Sequence, residues 1–249
     1  MKKGRRERTI ADMLLDPIRL SKNPDRLEEI ERASLRLVAQ AIYDYRVAAL
    51  EIFREESDLV ADIGEDITRE ALDRLGMSGI DQRLFGKMDY KRARYLFHPD
   101  YAIKQALFVD SKAEKVSGQG TATLQTSQFS MTVRQVRSEK EISVPGKLPT
   151  VLTLKNEPYI TTTLFVKYNY DEENVSNVLK TITVAAVPNG MLQARYNANA
   201  QDTIWLAGRN SPKRGEEFRV RLDFARLKQK TNWRVQKIPM PPEDWRWDF

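Results

Sequence analysis

The segment FHPDYAIKQALFVDSK contains residues whose types and spacing suit the hydrolysis of a phosphodiester. It holds the pair Pro99-Asp100 and, further on, the triplet Asp110-Ser111-Lys112. Carboxylate oxygens are the ligands that hard divalent cations prefer. An ammonium beside such a cation can stabilise an attacking hydroxide or the charge that develops on phosphorus. The alternative is a surface salt-bridge cluster at the end of a strand, so the next question is which carboxylate accompanies Asp110.

Strand pairing selects between two aspartates. If His98–Tyr101 form the loop of a hairpin, Asp89 lies directly opposite Asp110, with Cβ atoms about 5 Å apart. Asp100 then lies roughly 33 Å along the strand from Asp110, too far to share a cation, and its Pro-Asp pair is a turn. Lys112 lies on the face of Asp110, because alternate residues of a strand share a face. The pattern therefore predicts a cation between Asp89 and Asp110.

A second group of charged residues lies near the C-terminus, in SPKRGEEFRVRLDF. Arg219 and Arg221 alternate with apolar residues, so both project from one face of a strand. Arginines at this spacing suit the guanine edges of a DNA major groove, while Lys213 and Arg214 in the preceding loop suit phosphates. The alternative is a solvated strand face on which arginine and aspartate side chains pair.

Composition excludes several kinds of chemistry. The 249 residues include no cysteine and one histidine, which excludes disulfides, thiolate zinc sites, cysteine nucleophiles and multi-histidine metal sites. Neither a GxSxG motif nor a phosphate-binding GxxxxGK[ST] motif is present. The formal net charge of +6 favours a polyanionic partner. No apolar run reaches the roughly 18 residues of a membrane span, and no secretory signal is visible.

Hydrophobic periodicity predicts the elements that position these residues. An amphipathic helix of about 30 residues begins at Asn23-Pro24, and it serves either to cover the core or to form a subunit interface. A second helix spans Ser57–Leu75. The predicted strands are Arg83–Asp89, Lys91–Phe97, Ala102–Ala113, Phe129–Val136, Thr161–Tyr170, Thr181–Val187 and Phe218–Phe224, with short helices at Leu192–Ala198 and Ala225–Lys230. This order predicts an α/β or α+β fold. We expect one domain over residues 1–249, with a flexible basic arm over 1–22 that contacts phosphates or is merely solvated.

Nine short stretches occur in an order that resembles a known family. They are EDIT (65–68), DYKR (89–92), VDSKA (109–113), TLQTSQ (123–128), TTTLFV (161–166), RYN (195–197), SPKRGE (211–216), RVR (219–221) and NWRVQ (232–236). The chain resembles the SfiI-type restriction endonucleases, metal-dependent enzymes of the PD-(D/E)xK nuclease superfamily. The stretch EKVSGQGTA (114–122), the first 30 residues and the C-terminal PPEDWRWDF depart from that pattern.

The resemblance implies an α/β fold with a central mixed β-sheet flanked by helices, the restriction-endonuclease-like core. The resemblance implies that catalysis depends on Asp89, Asp110 and Lys112, with Glu65 as an additional carboxylate on a helix. It implies that Mg²⁺ is held by Asp89, Asp110 and the backbone carbonyl near Ser111. It also implies that Arg219 and Arg221 contact bases. It further implies a homodimer or homotetramer acting on double-stranded DNA, at a palindromic GC-containing site with or without an interrupting spacer. We expect such an enzyme in the cytoplasm of a prokaryotic cell, with no membrane partner.

Two other functions agree with the same residues. A structure-selective repair or recombination nuclease of this superfamily would keep the acidic site but prefer branched or damaged DNA. A non-catalytic DNA-binding regulator would carry the acidic residues only as a surface feature. A pure binding protein has no need to place two carboxylates together, so the sequence favours a nuclease.

Overall fold

The structure, a computed structural model, describes residues 14–56, 60–77, 93–98, 101–173, 176–207 and 218–249. The α-helices in these residues are α1 (Pro24–Glu55), α2 (Val60–Arg74), α3 (Gln193–Tyr196) and α4 (Phe224–Lys230). The strands are β1 (Ala93–His98), β2 (Ile103–Lys115), β3 (Thr121–Gln125), β4 (Thr132–Arg137), β5 (Lys140–Pro145), β6 (Val151–Leu154), β7 (Glu157–Glu173), β8 (Ser176–Val187), β9 (Trp205–Ala207), β10 (Arg219–Asp223) and β11 (Val235–Pro239). Within the described ranges, no helix is both long and apolar enough to cross a lipid bilayer.

Helix α1 begins where the sequence predicts it. The Asn23 side chain accepts a hydrogen bond from the Arg26 backbone N–H at 3.2 Å, and Pro24 occupies the first turn, where its missing N–H is harmless. The apolar side chains along one face are at most 1% exposed: Leu27, Ile30, Leu35, Val38, Ile42 and Phe53. The prediction of a long helix is confirmed, and its apolar face covers the core of this chain.

The main sheet is mixed. In the described part of the chain its strands follow the order β1-β2-β7-β8-β11, and β6 also pairs with β7. Strands β2 and β7 run parallel, whereas the other neighbours are antiparallel. Strand β7 is buried without a break over residues 160–169, as expected of a strand covered on both faces. The expected fold class, a central mixed sheet flanked by helices, is confirmed.

The two faces of the sheet contact different layers. Helices α1 and α2 pack on one face, where Val109 and Val166 belong to the same apolar cluster as Phe53. The opposite face contributes Phe165 to a second cluster, which includes Leu124 of β3. Because side chains alternate along a strand, the neighbours of Val109 in β2 point away from the helices.

Strands β3, β10 and β9 form a small sheet, in that order, among the described residues. Strand β10 confirms the predicted Phe218–Phe224 strand, and it pairs antiparallel with β3 so that Arg219 faces Gln125 and Arg221 faces Thr123. Strands β3, β5, β6, β9 and β11 were not predicted. They are three to six residues long, which leaves little periodic signal.

The β1–β2 hairpin has a different register from the predicted one. Phe97 pairs with Lys104, whereas the predicted loop His98–Tyr101 would place it opposite Ala102. The observed pairing is therefore shifted by two residues along β2, and Ala102, directly before β2, has a positive φ of 50°. The prediction that Asp89 lies directly opposite Asp110 was therefore derived from a wrong register. Asp89, the predicted strand Arg83–Asp89 and Asp100 lie outside the described residues.

The last part of the predicted basic arm over residues 1–22 includes a short helix. Pro17–Lys22 form a 3-10 helix, and Leu20 within it is 1% exposed. The Leu15 backbone N–H donates a hydrogen bond to the Ala102 carbonyl at 2.7 Å. Residues 14–22 thus pack on the fold, while the basic residues of 1–13 lie outside the described ranges.

Candidate active site

A cavity of about 270 Å³ lies where β2, α2 and the small sheet meet. Four of the residues predicted from the sequence line it: Glu65, Asp110, Lys112 and Arg219. The amide side chains of Gln125 and Gln128 also line it. The fold therefore brings two carboxylates, an ammonium and a guanidinium from three separate parts of the chain to one cavity.

Asp110 is held at the floor of this cavity. It lies on β2 beside Phe165 of the parallel strand β7, and it is 4% exposed. A buried carboxylate needs hydrogen-bond donors to offset its loss of water. The Gln128 Nε2 supplies one, donating to Asp110 Oδ2 at 2.7 Å. The side chain of Ser111 alternates to the opposite face and is 2% exposed, so its hydroxyl does not face the cavity.

Lys112 lies on the same face of β2 as Asp110, as predicted. It is half-buried, and its Nζ donates a hydrogen bond to the Thr123 carbonyl of β3 at 3.1 Å. The ammonium is thereby held at the wall of the cavity that Asp110 also lines. In such a partly dry site a positive charge interacts with neighbouring negative charge more strongly than it does in water.

Glu65 reaches the cavity because helix α2 approaches β2 closely. A Cβ on Gly64 would lie 3.2 Å from the Ala113 nitrogen and 3.3 Å from the Lys112 carbonyl carbon. The Thr68 and Tyr168 hydroxyls, 2.9 Å apart, hydrogen-bond α2 to β7. Sequence reasoning missed the role of Gly64, although a glycine inside a helix is a signal for close backbone packing.

Arg219 and Arg221 project from the same face of β10, as predicted, because the alternating Val220 and Leu222 are fully buried. Arg219 is exposed and Arg221 half-buried. The neighbouring Asp223 caps helix α4, accepting from the Ala225 and Arg226 backbone N–H groups at 2.9 and 3.1 Å. Lys213 and Arg214, predicted to contact phosphates, lie outside the described residues.

A buried lysine beside the site was also missed. The Lys167 side chain is 1% exposed, and its Nζ lies 2.5 Å from Glu114 Oε2. It donates to the Gly118 carbonyl at 2.6 Å and to the Thr121 carbonyl. Burial lowers the pKa of Lys167, the ion pair with Glu114 opposes this, and the charge of Lys112, its partner in the β2–β7 register, lowers that pKa further. The sequence indicates that Lys167 is buried, because this lysine lies inside the apolar run TTTLFVKY.

The described residues have the donor chemistry of a hard cation site but not a complete set of side chains. Asp110 and Glu65 supply carboxylate oxygens to one cavity, and such oxygens suit Mg²⁺. No cluster of three or more His, Cys, Asp or Glu side chains that could hold an ion is found among the residues that the structure describes. Asp89, the third predicted carboxylate, is not among them.

Comparison with solved structures finds chains of similar architecture, among them two restriction endonucleases bound to DNA. The first is described as tetrameric restriction endonuclease SfiI bound to cognate DNA; it is 32% identical, covers 89% of this chain and 87% of its own, and superposes with a TM-score of 0.76. The second is restriction endonuclease BglI bound to its DNA recognition sequence, with a TM-score of 0.74 over 90% of this chain and 94% of its own. At 18% identity, the likeness to BglI establishes the fold alone.

Comparison with curated proteins and family profiles shows that the similarity to restriction endonucleases also holds for the sequence. The type II restriction enzyme SfiI of Streptomyces fimbriatus is 34% identical over 229 residues, 86% of this chain and 84% of that protein. The profile described as "Type II restriction enzyme SfiI" matches residues 36–238, which include α2, β2 and β10 and so every described element that bears a predicted site residue. Because the match spans both the catalytic candidates and most of the chain, this protein belongs to the SfiI family of type II restriction enzymes.

Proposed function

We propose that this restriction enzyme hydrolyses one phosphodiester in each strand of double-stranded DNA, with Mg²⁺, at a palindromic GC-containing site with or without an interrupting spacer. The observation that carries the proposal is the shared cavity. Asp110, Lys112 and Glu65 line it together with Arg219, so groups suited to hydrolysis lie beside a group suited to a guanine edge. A surface salt-bridge cluster does not need a concave site with its central carboxylate 4% exposed.

Asp110, the backbone carbonyl near Ser111 and Asp89 are the proposed Mg²⁺ ligands, and Glu65 is an additional carboxylate on the same cavity. When bound, Mg²⁺ supplies Lewis acidity for the scissile phosphate and lowers the pKa of a bound water. The protein holds the carboxylate oxygens of Asp110 and Glu65 in fixed positions. Asp110 is fixed by burial and by the Gln128 hydrogen bond, and Glu65 by the close contact of α2 with β2.

Lys112 is proposed to stabilise negative charge during hydrolysis. Its Nζ donates to the Thr123 carbonyl, which fixes the position of the ammonium at the wall of the cavity. A positioned cation facing the developing charge lowers the barrier because it does not have to reorganise during the reaction. The same contact lets Lys112 orient the nucleophilic water.

Arg219 and Arg221 are proposed to read guanines, since a guanidinium can donate two parallel hydrogen bonds to O6 and N7 in the major groove. Their spacing on β10 follows from the strand geometry, because residues two apart share a face. Lys213 and Arg214 are proposed to contact the backbone, where such contacts add affinity but no sequence information.

A homodimer or homotetramer is the proposed active form, acting in the cytoplasm of a prokaryotic cell. A palindrome has two-fold symmetry, and two identical subunits match it. The similar SfiI structure is described as tetrameric, which supports a tetramer as the first assembly to test. Light scattering with and without the duplex distinguishes the two assemblies.

The experiment that tests the proposal is digestion of a large sequenced DNA by the purified protein with Mg²⁺, followed by sequencing of the ends. Discrete fragments with a shared sequence are expected. Asp110→Ala should abolish cleavage and leave binding to the same site largely intact. Cleavage that survives in Asp110→Ala refutes the assigned site, and a wild-type protein that binds but never cuts intact duplex points instead to a structure-selective nuclease or a regulator.

A further inference from the structure

The segment from β3 through Gln128 connects the arginine-bearing strand to the buried carboxylate. We propose that Gln128 is a positioning residue that couples base contacts on β10 to the orientation of Asp110. This inference rests on the proposed function, because it takes Asp110 as a metal ligand and Arg219 and Arg221 as base readers. It adds Gln128 to the residues that affect hydrolysis, and it gives a path of contacts through which DNA recognition changes the orientation of Asp110.

Both ends of the Gln128 side-chain amide are engaged. Its Nε2 donates to Asp110 Oδ2 at 2.7 Å, and its Oε1 accepts from the Gln125 backbone N–H at 2.7 Å. The Gln128 backbone N–H donates in return to the Gln125 side chain, which completes a reciprocal cap on the 3-10 turn Thr126–Gln128. The chemistry fixes the orientation of the amide, because a carboxylate only accepts and a backbone N–H only donates.

Strand β3 carries this connection to the arginines. Gln125, whose N–H is held by Gln128, pairs with Arg219 in the β3–β10 register, and Thr123 pairs with Arg221. The Thr123 carbonyl accepts from Lys112 Nζ. A displacement of β10 on contact with bases therefore acts on β3, which accepts a hydrogen bond from Lys112 directly and is connected to Asp110 through Gln128.

The orientation of Asp110 is the quantity that this connection controls. The carboxylate is almost fully buried, so a change in its rotamer or plane is set by protein contacts rather than by water. Groups that orient a metal ligand typically change metal affinity or activity 10- to 100-fold when they are removed. The binding of DNA through the arginines does not itself require this contact.

Two substitutions separate the functions of the amide. Gln128→Met removes both hydrogen bonds at similar volume, whereas Gln128→Glu keeps an acceptor for the Gln125 N–H but has no donor for Asp110. We expect both variants to bind the cognate duplex in EDTA within about twofold of wild type. Both should cut it at least about tenfold more slowly in single turnover, and Gln128→Met should require a higher Mg²⁺ concentration at half-maximal rate. Weaker Mn²⁺ binding by Gln128→Met, followed by electron paramagnetic resonance without DNA, is the readout that is independent of cleavage.

Gln193→Met is the matched control. The Gln193 amide also makes structural hydrogen bonds, accepting from the Thr132 N–H at 2.8 Å and donating to the Thr132 and Asn197 carbonyls at 2.9 and 2.7 Å, but none of these contacts involves the cavity. This variant should lose stability and keep the Mg²⁺ dependence of wild type. Circular dichroism establishes that each variant is folded.

The coupling itself is tested by a double-mutant cycle with Arg219→Ala, measured as single-turnover cleavage of DNA saturated with enzyme. If base contact acts through Gln128, Arg219→Ala slows cleavage much less in the Gln128→Met background than in wild type. Purely additive effects overturn the coupling, and wild-type rates in both Gln128 variants, with wild-type Mn²⁺ binding by Gln128→Met, overturn the positioning role. Cleavage by Asp110→Ala would instead refute the proposed function, so the two failures are distinguishable.

Discussion

Replacement of Arg234 by methionine tests the buried ionic network that joins α1 to the sheet. Arg234 and Glu31 are both 0% exposed, and Arg234 Nη2 lies 2.6 Å from Glu31 Oε2. Arg234 Nε donates to the Tyr196 hydroxyl at 2.6 Å, while Glu31 Oε1 accepts from the Asn189 N–H at 2.8 Å. The arginine is therefore the only cation among the partners described for Glu31.

Arg234→Met leaves Glu31 as a buried charge without a cation, and this is expected to cost about 3–5 kcal/mol of unfolding free energy. A domain is typically stable by about 5–15 kcal/mol, so the loss is a large fraction of the total. The surface substitution Arg69→Met is the matched control. The Arg69 side chain is 63% exposed and pairs with Asp66, which is also 63% exposed, so its loss should cost no more than about 1 kcal/mol.

The loss should also depend on pH. Burial raises the pKa of Glu31 even though the charge and hydrogen bond of Arg234 lower it. Removal of Arg234 raises that pKa further. A carboxyl whose folded-state pKa is raised destabilises the fold more as pH rises through that pKa, because the unfolded state gives up its proton first. Arg234→Met should therefore be more destabilised relative to wild type at pH 8 than at pH 5.5.

Urea unfolding followed by tryptophan fluorescence, at one fixed protein concentration, measures these differences. The double variant Glu31→Gln with Arg234→Met removes both charges and should recover much of the stability that the single variant loses. A loss below about 1 kcal/mol in Arg234→Met, or a double variant as unstable as the sum of its single variants, would refute the reasoning.

Two further predictions concern the site. Arg221→Ala should weaken or relax recognition of the DNA site by about 1–3 kcal/mol per lost base contact. Competition binding with single-base variants of the cleaved site measures this loss of discrimination. An unchanged preference among these DNA variants would contradict base reading by Arg221. Gly64→Ala gains about 1 kcal/mol of helix propensity but places a Cβ 3.0 Å from Tyr168 Cδ2 and 3.2 Å from the Ala113 nitrogen, which costs about 1–3 kcal/mol. The melting temperature should change little or fall, and single-turnover cleavage should slow because Glu65 moves away from β2; wild-type cleavage would contradict the role of this contact.

The β1–β2 hairpin shows how far periodicity alone predicts the site. The alternation of side chains along a strand correctly predicted which face each residue of β2 lies on. Asp110 and Lys112 share a face, and both line one cavity. The register was wrong by two residues, because it depends on loop conformation, and a loop with Ala102 at positive φ has no clear signal in HPDYA. A shift of two residues preserves the faces, whereas a shift of one would have exchanged them.

The contacts that hold the cavity together were not predictable from local pattern. Strand β3 pairs with β10 about a hundred residues later in the chain, and a five-residue strand has too few alternations to be distinguished from a loop. The role of Gln128 follows from tertiary contacts alone. The long helix α1 was predictable because its 32 residues repeat one pattern many times and begin at an Asn-Pro cap.

The segment between β2 and β3 is held in place mainly through its backbone carbonyls rather than through its side chains. Lys167 anchors it through the Gly118 and Thr121 carbonyls, which every residue type provides, and through Glu114 at its start. This anchor fixes the path that leads into β3, whose Thr123 carbonyl in turn holds Lys112. Apart from Gly118, where a Cβ would lie 2.6 Å from Glu114 Oε2, the side chains of residues 115–120 can therefore vary without displacing the cavity.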